Sequence, residues 1–463
     1  MKDTTPPIIS AIAVSKSLLL DSLHDRVTGV LVGAALGDAI GLYTEFLSAE
    51  HSAFFYPARQ FILAPDGYDG KGPTRFRVDT HRMKHLPGDW TDDTDHALLL
   101  LLAALRNVDA SISDADLVAA TTADFPPRLK IWVDCGLRAL DKMPLGLGKV
   151  VASVVRSHTF VTDPEGTARK CWESSGKRSA SNGSLMRTHP LGLLALARDE
   201  EVAFALGAAV SKTTHADPRC VIACAIGSAL IRGVVRGDID NNSDLDSVIT
   251  RALVWFATQE QPSPGYKLDV AELKKHTEVE GLDSLKLDDS QGMGYVYKTL
   301  GAGVFLLRSA IKVIRGGNPS FRARLSLFEN LITDLVMHGG DADTNACFAG
   351  ALVGGYLGFK ALPQHWWNHL RHGDWLISKA EALCQVLGIT SGDYDAKEDS
   401  DTLPDGGRGI LSQEQMDVRW THLMTDVEQR LRQRKESLKT LDVPSMPASE
   451  EKSRRWFRRK RVP

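Results

Sequence analysis

Apolar residues return at helical spacing along most of this chain. From a cap at Asp21 or Ser22 the pattern runs to about residue 41, and it resumes over 93–106, 114–124, 133–140 and 147–156. It continues over 188–194, 220–235, 294–307, 325–337 and 346–358, so the expected fold class is all-α. The first of these helices carries Gly29, Gly33, Ala34 and Gly37. Each Gly inside a helix costs about 1 kcal/mol against Ala, so this many small residues predict close approach by a neighbouring helix.

Where the period lapses, the composition changes. Residues 50–88 are aromatic, basic and broken by Gly and Pro, which predicts a long ordered loop whose basic face could cover a phosphate-bearing ligand. Residues 259–293 are acidic and interrupted, as a surface insertion would be. The expected organisation is a loose leader over 1–20, a catalytic domain over 21–389 with insertions at about 50–88 and 259–293, and a polar linker over 390–411. An amphipathic helix over 412–439 follows, its stripe formed by Met416, Trp420, Leu423, Met424, Val427 and Leu431, and then a basic disordered tail over 440–463.

The densest chemistry is Pro87-Gly-Asp-Trp-Thr-Asp-Asp-Thr-Asp-His96, which runs straight into the apolar segment 97–105. Four acids and two threonines within Asp89–Asp95 exceed what helix capping requires. Carboxylates this close repel one another unless they are protonated, solvated or holding a cation. The theme returns at His338-Gly-Gly-Asp341-Ala-Asp343-Thr344-Asn345, ahead of a helix of almost wholly small and apolar residues. Two such clusters offer hard oxygen ligands, the donor set of magnesium or manganese rather than zinc, in numbers sufficient for two neighbouring ions. Asp38 ends the first helix, where its ordinary role would be to pair with an arginine or a backbone amide, and Glu45 stands a few residues on. Ser179–Arg187 and Thr213–Pro218 each place hydroxyls and free amides before a helix, suited to an anion or a ribose hydroxyl. Such turns are also ordinary caps, and His215 would ordinarily be structural.

Composition adds limits. Formal charge is −3, so bulk electrostatics favours neither nucleic acid nor membrane, and only the tail 452–461 could add a weak contact or a nuclear-import signal. The six cysteines are scattered without a CxxC pair, as reduced core thiols of a cytoplasmic protein would be. The first twenty residues lack the basic-then-apolar order of a secretory signal, and no uninterrupted apolar run reaches the roughly 20 residues that span a bilayer. A monomer is expected.

Taken in order, the motifs resemble the ADP-ribosylglycohydrolases, in the branch of the dinitrogenase-reductase-activating glycohydrolase. The resemblance covers roughly residues 24–388. It is carried by Gly33-Ala-Ala-Leu-Gly-Asp-Ala-Ile-Gly41 with Glu45-Phe46, Pro87–Thr94, Ser181-Asn-Gly-Ser-Leu-Met-Arg187, Thr214-His215 and Gly339–Asn345, with Gly294–Leu300 as a looser sixth block. It implies a compact orthogonal multi-helix bundle with two magnesium ions held by Thr91, Asp92, Asp93, Asp341, Asp343 and Thr344. It also implies an ADP-ribose cleft lined by Asn182, Gly183, Ser184 and Met186 with His215 behind them, and a glutamate, Glu45, that closes over or assists the site. The segment between Glu45 and Thr91, the 259–293 insertion and the C-terminal extension depart from the family pattern.

The reaction expected from the resemblance is metal-assisted hydrolysis at C1″ of an ADP-ribosylated protein side chain. Asp92 or Asp93 would accept a proton with Glu45 assisting, and the arginine linkage is favoured. Two other readings compete. One is a protein of the same fold that binds ADP-ribose or serves a structural role without turnover; the presence of all six expected ligands weighs against it. The other is a haloacid-dehalogenase-type phosphohydrolase suggested by Asp341-Ala-Asp-Thr344, whose motif should follow a strand in an alternating α/β chain.

Overall fold

Small residues spaced four apart decide how the molecule is put together. The computed structural model describes residues 8–107, 111–259, 267–317 and 320–439. In them lie seventeen α-helices. The first nine are α1 (Ile8–Gly41), α2 (Ala49–Phe55), α3 (Asp92–Asn107), α4 (Asp114–Cys135), α5 (Lys149–Val155), α6 (Pro164–Ser174), α7 (His189–Leu194), α8 (Glu200–Lys212) and α9 (Pro218–Arg236). The rest are α10 (Asn242–Thr258), α11 (Val270–Thr277), α12 (Val296–Gly317), α13 (Phe321–Val336), α14 (Ala342–Leu357), α15 (Gln364–Trp367), α16 (Gly373–Val386) and α17 (Gln413–Lys439). Among the described residues there is no strand, only isolated bridges at Tyr68–Lys71 and Ser181–Tyr295, as the all-α reading expects.

Helices α1 and α14 run antiparallel along a seam of glycines. Gly29 faces Gly354, Gly33 faces Gly350, Gly37 faces Ala346, and Gly41 faces Ala342 and Asp343. A Cβ at any of these four α1 positions would fall inside van der Waals contact with backbone of α14. This is the close approach that the glycine spacing predicts. Helix α14 also packs on α9, α12 and α13, which makes it the central element of the larger unit. Helix α9 is long and apolar enough to cross a membrane by length and composition, with mean hydropathy 1.6 and 94% of that stretch buried inside the protein.

The described residues up to Arg75 together with Pro87–Ser412 form one compact unit; Phe76–Leu86 and α17 belong to a second. In the second, Arg430 Nη1 donates to the Met83 carbonyl at 3.0 Å, tying α17 to the turn Arg82–Lys84. Of the expected stripe on α17, Met416 and Val427 are buried, whereas Met424 is exposed.

Several boundaries differ from the sequence reading. The first helix starts at Ile8, well before the cap expected at Asp21 or Ser22, so residues 8–20 are helix and not a loose leader. Helix α4 runs past residue 124, through Pro126 and Pro127, with Phe125, Leu129 and Trp132 buried. It ends at Gly136, whose φ of 80° no other residue type adopts as readily, so 133–140 is not a helix of its own. The stretch 390–411 packs onto the larger unit and is not a free linker. Arg128 Nη2 donates to the Thr402 carbonyl at 2.8 Å, and Lys379 Nζ sits 2.7 Å from the Asp399 carboxylate. The described part of the 259–293 segment contributes α11 and the buried Leu273, Leu282, Leu285 and Leu287, more than a surface insertion would. Residues 440–463, including the basic tail, lie outside the described residues. All six cysteines are unpaired, five of them buried.

Candidate active site

The inner ends of α1, α3 and α14 bring the acidic residues together. Asp38 is fully buried one turn before the end of α1. Its carboxylate accepts from the Thr91 amide (2.9 Å) and hydroxyl (2.9 Å) and from the Thr94 amide (3.0 Å) and hydroxyl (2.6 Å). It therefore caps α3 from outside, which is the ordinary role considered for it. It has a second one: Asp38, Asp93 and Asp343 offer oxygens that all lie within 4.8 Å of one another. Glu45, Asp341 and Asp343 form an overlapping group of the same kind. Asp343 belongs to both.

Backbone turns set these positions. Gly339 and Gly340 have φ of 67° and 71°, and a Cβ on either would overlap a carbonyl, of Leu47 and Leu287 respectively. The turn lets Gly340 pair with the segment after Glu45: Phe46 N–H donates to the Gly340 carbonyl at 2.6 Å, and Gly340 N–H to Leu47 at 2.8 Å. That pairing brings Glu45 beside Asp341. On the other side, Asn182 Nδ2 donates to Asp341 Oδ2 at 2.9 Å and lies 3.0 Å from the Thr299 hydroxyl, which donates to Asn345 Oδ1 at 2.7 Å. The Asn182 amide also donates to the Gly294 carbonyl at 3.0 Å, joining the Ser-Asn-Gly segment to the start of α12.

The electrostatics are one-sided. Burial, and then the neighbouring carboxylates, push the Asp92 and Asp343 carboxyls well above the usual range. Asp93 moves the same way, by burial and then by Asp38 and Asp341, against hydrogen bonds from Thr344 and Thr91. Asp341 is raised by burial and then by Glu45, and Asp38 reaches about 6 through burial, opposed by its four bonds from Thr91 and Thr94. Among the described residues none of these five aspartates has a lysine or arginine ion-pair partner. Asp93 Oδ1 is buried and has no hydrogen-bond partner among the described residues. An all-oxygen donor set, uncompensated negative charge and an orphaned carboxylate oxygen fit a hard divalent cation.

The cluster forms the floor of a cleft of about 590 Å³, a volume usual for small-ligand sites. Glu45, Asp92, Asp93, Asn182, Gly183, Met186, His215, Asp341, Asp343 and Thr344 all line it. Two sequence candidates do not. The Thr91 hydroxyl lies behind the floor, 2.9 Å from Asp38 and 3.0 Å from Asp93. The Ser184 hydroxyl is turned into the core and accepts from Ser211 Oγ at 3.2 Å and Cys224 Sγ at 3.3 Å. Sequence reasoning left the walls unnamed: Gly146–Val151 on one side and Gln291–Tyr295 on the other. Gly146, at φ 93°, lies so close to the Asp92 carboxylate that a Cβ would collide with it. The signal available for that wall was the Gly146-Leu-Gly148 spacing; of the opposite wall, 291–293 lie in the segment read as an insertion, and Gly294 and Tyr295 open the block read only as a helix start and a looser match.

The sequence pattern of the ADP-ribosylglycohydrolases matches residues 19–391. The chain belongs to that family. ADP-ribosylglycohydrolases are hydrolytic enzymes, and this member is similar to the ADP-ribosylarginine hydrolase Tri1 of Serratia proteamaculans, 24% identical over 82% of each chain. It is also similar to the ADP-ribosyl-[dinitrogen reductase] glycohydrolase of Rhodospirillum rubrum, 22% identical over 75% of this chain and 91% of that protein. Among solved structures, an ADP-ribosylglycohydrolase-related protein complex matches at 22% identity and a TM-score of 0.48, covering 79% of this chain and 99% of that one.

Two acids of the Pro87–His96 stretch of this glycohydrolase do not line the cleft: Asp89, which pairs with Arg371 Nε at 2.6 Å, and Asp95. Asp95 accepts from the Trp90 indole (2.7 Å), the Trp132 indole (3.0 Å) and Lys142 Nζ (2.9 Å). It supports the start of α3. Asp95→Asn turns one acceptor into a donor facing donors, so it should lower stability by about 2 kcal/mol while divalent-ion binding persists. Denaturant unfolding and calorimetric ion titration of the variant check the two halves.

Proposed function

We propose that the protein is a magnesium-dependent hydrolase that removes ADP-ribose from modified protein side chains, with arginine the favoured linkage. The observation that carries this reading is the pair of overlapping carboxylate groups that share Asp343 at the floor of a cleft, in a chain of this family. The Tri1 relative, an ADP-ribosylarginine hydrolase, supports the choice of linkage.

Asp92, Asp93, Asp341, Asp343 and Thr344 would hold the ions, with Thr91, the sixth residue expected there, supporting Asp38 and Asp93 from behind through its hydroxyl. When bound, divalent ions at this floor supply charge that grips ribose hydroxyls and lowers the pKa of a water. The chain's own residues do the rest. Asn182 holds Asp341 in one orientation, and the Thr91 and Thr94 donors hold Asp38 in another, so the floor is fixed before substrate arrives. Asp92 and Glu45 line the cleft, where each can accept a proton from the attacking water. The water oxygen bonds to C1″, the bond from C1″ to the arginine nitrogen breaks through an oxocarbenium-like state, and the departing nitrogen takes up a proton. Free ADP-ribose and unmodified arginine result.

The test is release of ADP-ribose from defined ADP-ribosyl-arginine and ADP-ribosyl-serine peptides, with and without EDTA. Release from the arginine peptide that EDTA stops and magnesium restores is expected. Release confined to the serine peptide would overturn the linkage, and release unaffected by EDTA would overturn the metal.

A further inference from the structure

Behind the cleft wall lies a buried positive charge that, among the described residues, has no carboxylate partner. Arg187 is fully buried. Its Nη1 donates to the Gly183 carbonyl at 3.2 Å, and its Nη2 to the Val210 carbonyl at 3.3 Å and to the Thr214 hydroxyl at 2.6 Å. The guanidinium carbon sits 4.6 Å from the Phe125 ring centroid, and Nε has no hydrogen-bond partner. Burial lowers its pKa only to about 10, so the group is a cation at neutral pH. A buried cation served only by neutral acceptors is costly to keep. Apolar packing against Phe125 would not need it.

Its neighbours form a chain of hydrogen bonds that leads back to the cleft. The Thr214 hydroxyl lies 2.8 Å from His215 Nδ1, and His215 Nε2 lies 2.9 Å from the Ser181 hydroxyl. Ser181 lines the cleft. The direction of the chain follows from donor counting. Arginine can only donate, so the Thr214 oxygen accepts from it. The single Thr214 proton then has His215 Nδ1 as its acceptor. Burial, reinforced by Arg187, lowers the His215 pKa to about 3, so the ring is neutral. With Nδ1 accepting, the ring proton sits on Nε2 and is donated to Ser181.

We propose that Arg187 and Thr214 are positioning residues that polarise this chain, holding His215 in its Nε2–H form so that Ser181 offers its own proton to an anionic oxygen of the ligand. This rests on the reading of the cleft as an ADP-ribose site, whose diphosphate supplies such oxygens, and Lys149 and Arg178 line the same cleft. The reverse tautomer would leave the Thr214 proton without a partner and make Ser181 donate inward to the ring. The cleft would then lose a donor. Sequence alone could not reveal this, because Arg187 reads as the end of a motif and nothing in its spacing shows that it lacks an acid.

The experiment uses the full chain labelled with 15N-histidine, the His215 signals being assigned by their absence from the His215→Gln spectrum. At neutral pH and without ligand, a protonated Nε2 and an unprotonated Nδ1 are expected for His215. Thr214→Val keeps the shape and removes the hydroxyl; it should shift the tautomer and weaken ADP-ribose binding about tenfold. It should also raise KM while leaving kcat within about twofold, since the lost contact is made equally in ground and transition states. Thr214→Ser should restore both the spectrum and the affinity, which a simple packing role for the methyl group would not allow. A wild-type His215 protonated on Nδ1 overturns the proposal, as does a folded Thr214→Val variant with unchanged spectrum and affinity. The wild-type spectrum decides even where the valine variant does not fold. Failure of the cleft to bind ADP-ribose, with the tautomer as expected, overturns the functional reading and leaves the polarised chain standing.

Discussion

Asp343→Asn is expected to abolish ADP-ribose release, by at least about a hundredfold, while making the metal-free protein more stable than the wild type. The two effects have one cause. Asp343 is the carboxylate common to both groups on the cleft floor, so its loss weakens every ion position that those groups can build. Asparagine keeps the shape and leaves one oxygen, but it brings no charge and places an amide where a cation would sit. Without metal the balance reverses. Burial, together with Glu45, Asp93, Asp341 and Asp38, already drives the Asp343 carboxyl toward its neutral form. A neutral isostere removes the repulsion that folding has to bear. In EDTA the variant should therefore melt above the wild type. In magnesium the order should invert, because an ion at about a hundred times its Kd stabilises only the protein that binds it, by about 2.7 kcal/mol. Thermal melts of both proteins in both buffers, with turnover measured alongside, give the answer. A variant that still hydrolyses substrate, or that keeps a magnesium-induced shift, would show that the floor is not the ion site.

The part of this site that was legible in the sequence is the part written as charge. Asp92, Asp93, Asp341 and Asp343 stand out because acids so dense at two helix starts need a shared partner; the structure gathers Asp93, Asp341 and Asp343 into two overlapping groups and leaves Asp92 on the cleft lining outside both. Asp38 was harder to read. A single acid at the end of an apolar helix has an ordinary use as a cap, and it does cap α3; its place beside Asp93 and Asp343 depends on how α1 and α14 are set against each other. Ser184 was misplaced for a related reason. In the turn Asn182–Ser184 successive side chains point in different directions, so a motif can name three residues while the cleft receives only some of them. The packing of 390–411 was lost because its anchors are hydrogen bonds from distant arginines to its backbone, which periodicity does not register.

The glycine spacing of α1 was legible as packing, and its consequence for the site yields the second large expected effect. Gly37→Ala should destabilise the protein by about 3 kcal/mol or prevent folding, a cost at the upper end for overpacking. The new Cβ would meet the carbonyl group of Ala346 and the amide nitrogen of Cys347, all backbone, so no rotamer change can relieve it. Either helix must move. Asp38 is the next residue on α1, and Asp343 lies one turn from Ala346 on α14, so a shift that frees the methyl group also pulls apart the Asp38, Asp93 and Asp343 oxygens. The residual folded protein should therefore bind divalent ions more weakly than the wild type, although no ligand was touched. Gly316→Ala is the matched control. A Cβ there meets nothing within 4 Å, and the exchange in a helix should add up to about 1 kcal/mol of stability with ion binding unchanged. Calorimetric ion titration and denaturant unfolding of the two variants separate the cases. If Gly37→Ala were as benign as Gly316→Ala, the seam would be loose, and the distance between the acids of α1 and those of α14 would have to be set elsewhere.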